Sequence, residues 1–186
     1  MTKYILHGGY TRENNPDNDG FFREMTSGFG KNVRILLNYF TRSESELESV
    51  LAEDKPKFLK NSEYGNLEFE VAVPEKLSEQ LERTDLMYMR GGQTDLLINK
   101  LSLTDNLKKQ FANKTIAGSS AGAYALSKYY YGNDTKKVSE GLGILNLKIY
   151  CHYEENDKDV ISQLQSYKED LPLLALPNYK WQIFFK

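Results

Sequence analysis

Short apolar runs alternate along this chain with segments whose apolar residues recur at helical spacing. Lys3 to Leu6 is such a run and leads to Gly8-Gly9, which predicts a buried strand and a tight turn. Val33 to Phe40 predicts a second strand. Ser43 with Glu46 three residues on has the spacing of a capping box, and Leu47, Val50 and Leu51 then share one helical face. Leu67 to Val73 alternates in part before Pro74 and reads as a third strand, while Leu77 and Leu81 mark a short helix. Leu86 to Met89 predicts a strand that runs into Gly91-Gly92, and Thr94 caps a helix carrying Leu97, Ile98 and Leu101. Thr115 to Ala117 predicts a strand, followed by Gly118-Ser119-Ser120-Ala121-Gly122 and a helical Ala123-Tyr124-Ala125-Leu126. Leu147 to Tyr150, Leu173 to Leu176 and Trp181 to Phe185 complete the strands, with a helix from Asp159 to Tyr167.

Strands alternating with helices predict an α/β fold of three layers: a doubly wound, mostly parallel sheet with helices on both faces. At 186 residues, with no internal repeat or low-complexity tract, the chain is expected to form one domain over residues 1–186. Parallel strands bring Gly8-Gly9, Gly91-Gly92 and Gly118 to Gly122 to one edge. Ligands bind at that edge in such folds, and backbone amides there are free to contact them.

Composition narrows the function. Hydrophobic residues at 40% and charged residues at 27% suit a soluble globular protein, and no apolar run approaches the roughly 18 residues that span a bilayer. The opening apolar stretch is too short for a signal peptide. The single cysteine, Cys151, excludes an internal disulfide and fits a reducing cytoplasm. A net charge of −2 leaves no basic footprint for nucleic acid. Two histidines and one cysteine do not make a His- or Cys-rich metal site, and no feature calls for a metal or an organic cofactor.

The candidate chemistry lies in Gly118-Ser119-Ser120-Ala121-Gly122, which fits the Gly-x-Ser-x-Gly nucleophile elbow. A strand must reverse sharply into a helix there, so side chains two residues either side of the apex would collide and glycine sits at both. The Ser120 hydroxyl then stands clear of the sheet, and the Ala121 N–H is placed to donate to an oxyanion. A serine needs a base. His152 follows the strand after the elbow and is the candidate; His7 precedes Gly8-Gly9 and reads as a packed or substrate-side histidine. Cys151 has no elbow, and strand alternation points it away from the face its neighbour uses.

At these residues the chain resembles the dipeptidase E and cyanophycinase family of serine peptidases. The matching stretches are Tyr88-Met89-Arg90-Gly91-Gly92-Gln93-Thr94, Ile116 to Ala123, Asn133-Asp134, Gly141-Leu142-Gly143 through His152, and Leu176-Pro177 to Trp181, in the family's order. The resemblance implies a fold like the class I glutamine amidotransferases, Ser120 as nucleophile and His152 as general base. It implies Gly91 or Gly92 as the second oxyanion donor beside Ala121. For the third triad member it offers Asp134 or Asn178. Asp134 is preferred, because a carboxylate both orients the imidazole and stabilises its cation, whereas an amide only orients it; Asn178 is then grouped with the glycines and Ala121 as an oxyanion or substrate contact. The chain departs from the family in three ways. Asp157 to Asp170 holds lysines but no arginine for a substrate carboxylate, Asn178 replaces an acid, and the sequence ends soon after Trp181. The short end raises two expectations: a partner subunit, in a homodimer, supplies the last layer, or that layer is absent.

The expected activity is hydrolysis of small peptides or amide bonds through an acyl-enzyme, in the cytoplasm and with neither nucleic acid nor membrane as partner. Two alternatives stand beside it. One is an α/β-hydrolase-type esterase, suited by the order Ser120, Asp134, His152 and by the His7-Gly8-Gly9 turn, and opposed by the place of that turn after the first strand and by the shortness of the chain. The other is an impaired relative that binds peptides. Tyr129-Tyr130-Tyr131 reads as core on one side and exposed on the other, or as pocket lining. Ser43 to Asp54 reads as a solvated helix face, and Arg12 to Asp19 as a polar loop able to cover the site.

Overall fold

The computed structural model of the chain describes residues 1–30, 32–63 and 65–186. Its elements, in chain order, are β1 (Lys3–His7), α1 (Pro16–Thr26), β2 (Asn32–Asn38), α2 (Leu47–Asn61), β3 (Asn66–Val71), α3 (Leu77–Glu82), β4 (Leu86–Met89), α4 (Thr94–Ser102), α5 (Leu107–Gln110), β5 (Thr115–Ser119), α6 (Ala121–Leu126), β6 (Tyr129–Gly132), β7 (Lys137–Glu140), β8 (Lys148–Cys151), α7 (Lys158–Ser166), β9 (Leu173–Leu176) and β10 (Trp181–Phe185). The strands form a six-stranded sheet in the order β10-β1-β5-β4-β2-β3 and a four-stranded sheet in the order β7-β6-β8-β9. All neighbours are parallel except β10 on β1 and β7 on β6. The α/β class, the mostly parallel pairing and the helices on both sides are as the hydrophobic pattern implied. The division into two sheets is not, and its cause is local: β5 and β10 occupy both edges of β1, so β8 and β9 cannot join the ladder there.

Strand alternation sorts the core of the large sheet. Ile5, Val33, Ile35, Leu37, Leu86, Tyr88 and Ala117 face α1 and α2, packing on Phe21, Phe22, Met25 and Phe58. Tyr4, Leu6, Leu36, Met87, Met89 and Ile116 face the opposite way, against α3, α4, α5 and α6. The small sheet uses Tyr130, Ile149 and Cys151 in that second core, while Tyr129, Tyr131 and Tyr150 turn to α7 and Leu164. All three tyrosines of the Tyr129 run are therefore buried, between two cores. Among the described residues no helix is long and apolar enough to cross a membrane.

Four local readings are corrected. Arg12 to Asp19 is not one loop, because α1 begins at Pro16. Asn15 caps it, its side chain accepting from Asp17 N–H at 2.9 Å, and Pro16 takes the first turn where its missing N–H is harmless. Thr94 opens α4 rather than capping it; Gln93 holds the cap position. The Ser43 to Asp54 face is solvated only in part, since Asp54 is fully buried. Finally, β6 and β7 form a hairpin over a stretch with no strand prediction. The Ser43 and Glu46 pairing does form, with the Glu46 carboxylate accepting from Ser43 N–H at 2.9 Å and from its hydroxyl at 2.7 Å.

His7 ends β1 inside the core. Its Nδ1 accepts the Gly9 N–H at 3.0 Å, so its Nε2 carries the proton shared with Asn18 Oδ1 at 2.9 Å. Burial pushes its pKa from 6.5 down to about 4, against the opposing Asn18 bond. The folded ring is thus neutral, and unfolding frees it to take a proton. Its contribution to stability is complete above about pH 6.5 and is lost as pH falls towards about 4. The loss is on the order of 3 kcal/mol. In urea unfolding measured against pH, His7→Gln is expected to flatten that acid slope, and an unaltered slope would contradict the assignment.

Candidate active site

Ser120 stands between β5 and α6 with φ 49° and ψ −105°, a strained conformation for a residue with a side chain. Its N–H donates to His7 O at 2.9 Å and its carbonyl accepts Tyr124 N–H at 2.9 Å, which fixes the reversal at both ends. The flanking glycines are required by contact. A Cβ on Gly118 would lie 2.4 Å from the Gly122 carbonyl carbon, and one on Gly122 would lie 2.5 Å from Met89 O.

His152 follows β8 and has φ 60°. Its N–H donates to Gly8 O at 3.0 Å, which turns the ring towards Ser120. Ser120 Oγ lies 2.9 Å from His152 Nε2, and Asn178 Oδ1 lies 2.6 Å from Nδ1. Because the amide oxygen can only accept, Nδ1 carries the proton and Nε2 is left as acceptor for the Ser120 hydroxyl. Asn178 comes from the turn after β9. The parallel pairing of β8 with β9 sets Cys151 opposite Leu176, so the chain leaves both strands at the same end.

Both ring nitrogens of His152 are thereby taken, and neither partner is Asp134. That residue sits in the β6–β7 turn and lines a separate depression with Gln93, Thr94 and Tyr130, where the hairpin bends over the start of α4. The expectation that Asp134 meets the histidine is corrected: the group at Nδ1 is the Asn178 amide. Its neighbour Asn133 reaches the second sheet instead, pairing with the Tyr124 hydroxyl and donating to Cys151 O at 3.4 Å. Cys151 is fully buried and burial pushes its thiol up, so it stays protonated inside the core.

A cavity of about 250 Å³ opens above Ser120 and His152. Its walls come from the carboxyl ends of four strands: Tyr10, Thr11 and Arg12 after β1, Arg42 after β2, Arg90, Gly91 and Gly92 after β4, and Ser119 and Ser120 at the end of β5. Of the two candidate glycines, Gly91 abuts the serine, since a Cβ there would lie 3.2 Å from Ser120 Cβ. Gly92 packs on the Thr41 side chain with φ 148°. Ala121 opens α6, where an N–H has no carbonyl partner within the helix. The Gly8-Gly9 turn differs from expectation, because its amides are spent inside the protein. Gly8 N–H donates to Lys180 O at 2.8 Å, and Gly9 N–H to His7. Its glycines serve packing: a Cβ on Gly8 would lie 2.0 Å from Pro177 O, and one on Gly9 would lie 2.1 Å from the His152 ring.

The sequence reading assigned no role in the site to three arginines. Arg12, Arg42 and Arg90 all line the cavity, and among the described residues no acidic side chain does. Arg90 is neutralised by Asp54 and Glu53, and Arg42 is held by Glu46 at 3.4 Å and by Gly91 O at 3.2 Å. Arg12 is exposed. All three precede the elbow in the chain and reach the site through topology, not from the segment after His152. Tyr10 is the other missed residue; its ring meets the His152 ring edge-on at 5.2 Å.

The sequence matches the model of peptidase family S51 over residues 11–184. No curated protein matches it. Among solved structures it is similar to a peptidase from an acI-B1 Actinobacterium, with a TM-score of 0.72 at 19% identity over 99% of this chain and 83% of that one. It is also similar to a protein from Listeria monocytogenes EGD-e provisionally named peptidase E, with a TM-score of 0.69 at 19% identity over 100% of this chain and 98% of that one. At such identity the two structures speak for the fold, while the family model speaks for membership and sets aside the α/β-hydrolase alternative. The chain belongs to peptidase family S51 and is a serine-type peptidase.

Proposed function

We propose that the protein hydrolyses small peptides through an acyl-enzyme on Ser120, with preference for peptides that carry a carboxylate. The observation that carries the mechanism is the unbroken line from Ser120 Oγ to His152 Nε2 at 2.9 Å and from Nδ1 to Asn178 at 2.6 Å. As Oγ attacks the carbonyl carbon, Nε2 takes its proton. The Ala121 and Gly91 N–H groups hold the oxyanion. His152 then gives the proton to the leaving amine. Water enters, loses a proton to Nε2, attacks the ester and releases Ser120. Asn178 keeps the reactive tautomer but brings no charge to the imidazolium. The substrate preference rests on the guanidinium groups of Arg12 and Arg42 on the cavity wall.

Three outcomes are expected. Ser120→Ala lowers turnover on the order of 10⁶-fold and abolishes labelling by a fluorophosphonate; undiminished hydrolysis would remove the mechanism. Asn178→Asp raises kcat by about fivefold, the gain expected when a neutral hydrogen bond to the forming imidazolium becomes a charged one. Slower turnover by the Asn178→Asp variant would show that charge is not what this position lacks. Arg12→Ala lowers kcat/KM for acidic peptides about tenfold while sparing neutral ones, the loss of one charged hydrogen bond. Equal effects on both peptide classes would count against the carboxylate preference.

A further inference from the structure

We propose that Asp54 is a positioning residue for the reaction, acting through its buried ion pair with Arg90 on the Gly91-Gly92 turn. Asp54 lies on α2 with no exposed surface, and the Arg90 side chain is 6% exposed. Arg90 Nη1 stands 3.0 Å from Asp54 Oδ1 and donates to Val50 O at 3.2 Å, while Nη2 pairs with Glu53. Burial pushes the Asp54 carboxyl above the usual carboxylate range, with the Arg90 guanidinium opposing. A buried pair of this kind is poor evidence for stability, because well-packed apolar residues of similar volume often serve as well. Its place in the chain suggests another use.

Arg90 is the residue immediately before Gly91. Its N–H donates to Asn38 O at 3.2 Å, so its backbone is held on β2 while its side chain is held on α2. The next two carbonyls face the same side: Thr41 Oγ1 donates to Gly91 O at 3.2 Å with Arg90 O 3.4 Å away, and Arg42 Nη2 donates to Gly91 O at 3.2 Å. Shifting the end of β4 away from Ser120 would drag the guanidinium off a carboxylate that is sealed from water. The pair thus resists that displacement and keeps Gly91 against Ser120. Asp54 itself touches no substrate, since it lies outside the cavity wall.

The inference rests on the reading of Gly91 as an oxyanion donor, and the test separates the two. Wild type, Asp54→Asn and the double variant Asp54→Leu/Arg90→Met are compared with a neutral peptide substrate and a fluorophosphonate probe, whose phosphoryl oxygen occupies the same oxyanion site. The double variant is expected to keep the urea midpoint of the wild type yet lose about 100-fold in kcat and in labelling rate, as when one oxyanion donor is displaced, with KM within about twofold. Asp54→Asn keeps the shape and removes the charge, and loses about tenfold in both rates. Wild-type kcat in either folded variant would overturn the proposal, because a merely structural pair would leave chemistry intact once stability is kept. Should only one of the two fold, its kcat and labelling rate decide alone. A wild type that the probe does not label would instead overturn the acyl-enzyme reading, and this inference with it.

Discussion

The last residue of β1 and the two that follow it hold together two sheets that share no ladder. His7 O accepts the N–H of Ser120, Gly8 O accepts that of His152, and Gly9 O accepts that of Tyr179 beside Asn178, at 2.9, 3.0 and 3.2 Å. The serine belongs to the large sheet, the histidine and the asparagine to the small one. This short segment gives all of them a common reference. That explains why glycine stands at both positions 8 and 9, for any side chain would fill the space that Pro177 and the His152 ring occupy. It also explains why His7 is buried neutral: its ring closes the turn by accepting Gly9 N–H.

Much of this arrangement was legible in the sequence because its signals are local. Gly118-Ser119-Ser120-Ala121-Gly122 must be an elbow for steric reasons that need no tertiary knowledge, and runs such as Leu86 to Met89 announce buried strands. What was hidden depended on partners distant in sequence. Asp134 and Asn178 cannot be ranked by charge alone, because the register of β8 against β9 decides which one meets Nδ1. Asp54 looks like part of a solvated acidic face until α2 is laid over Arg90. Asn15-Pro16 did carry a helix-start signal, with Phe21, Phe22 and Met25 at helical spacing behind it, but the polar residues around them masked it.

Among the described residues, four of the eight non-glycine residues with positive φ lie where the proposed chemistry does. Tyr10, Ser120, His152 and Tyr179 all have positive φ between 49° and 68°, and none is glycine. Each such residue costs on the order of 1–3 kcal/mol and persists only where the surroundings overdetermine it. Here they do: each belongs to a loop fastened by main-chain hydrogen bonds to β1 or packed on its Gly8-Gly9 turn. Parallel strands deliver their ends to one edge, and turning each chain sharply there exposes a side chain instead of burying it. The strain and the exposure of the Ser120 hydroxyl are the same geometric fact.

The two departures from an acidic triad and from an arginine after the histidine are linked by electrostatics. On the proposed mechanism His152 becomes a cation during attack. Asn178 offers it no negative charge, and among the described residues no acidic side chain lines the cavity. A substrate carboxylate held by Arg12 and Arg42 would bring negative charge to the cavity at the moment the cation forms, so an anionic peptide would assist its own cleavage as well as bind. A neutral peptide brings no such charge. Selectivity would then be expressed in kcat as well as in KM, because the charge that the protein lacks is supplied only by the right substrate.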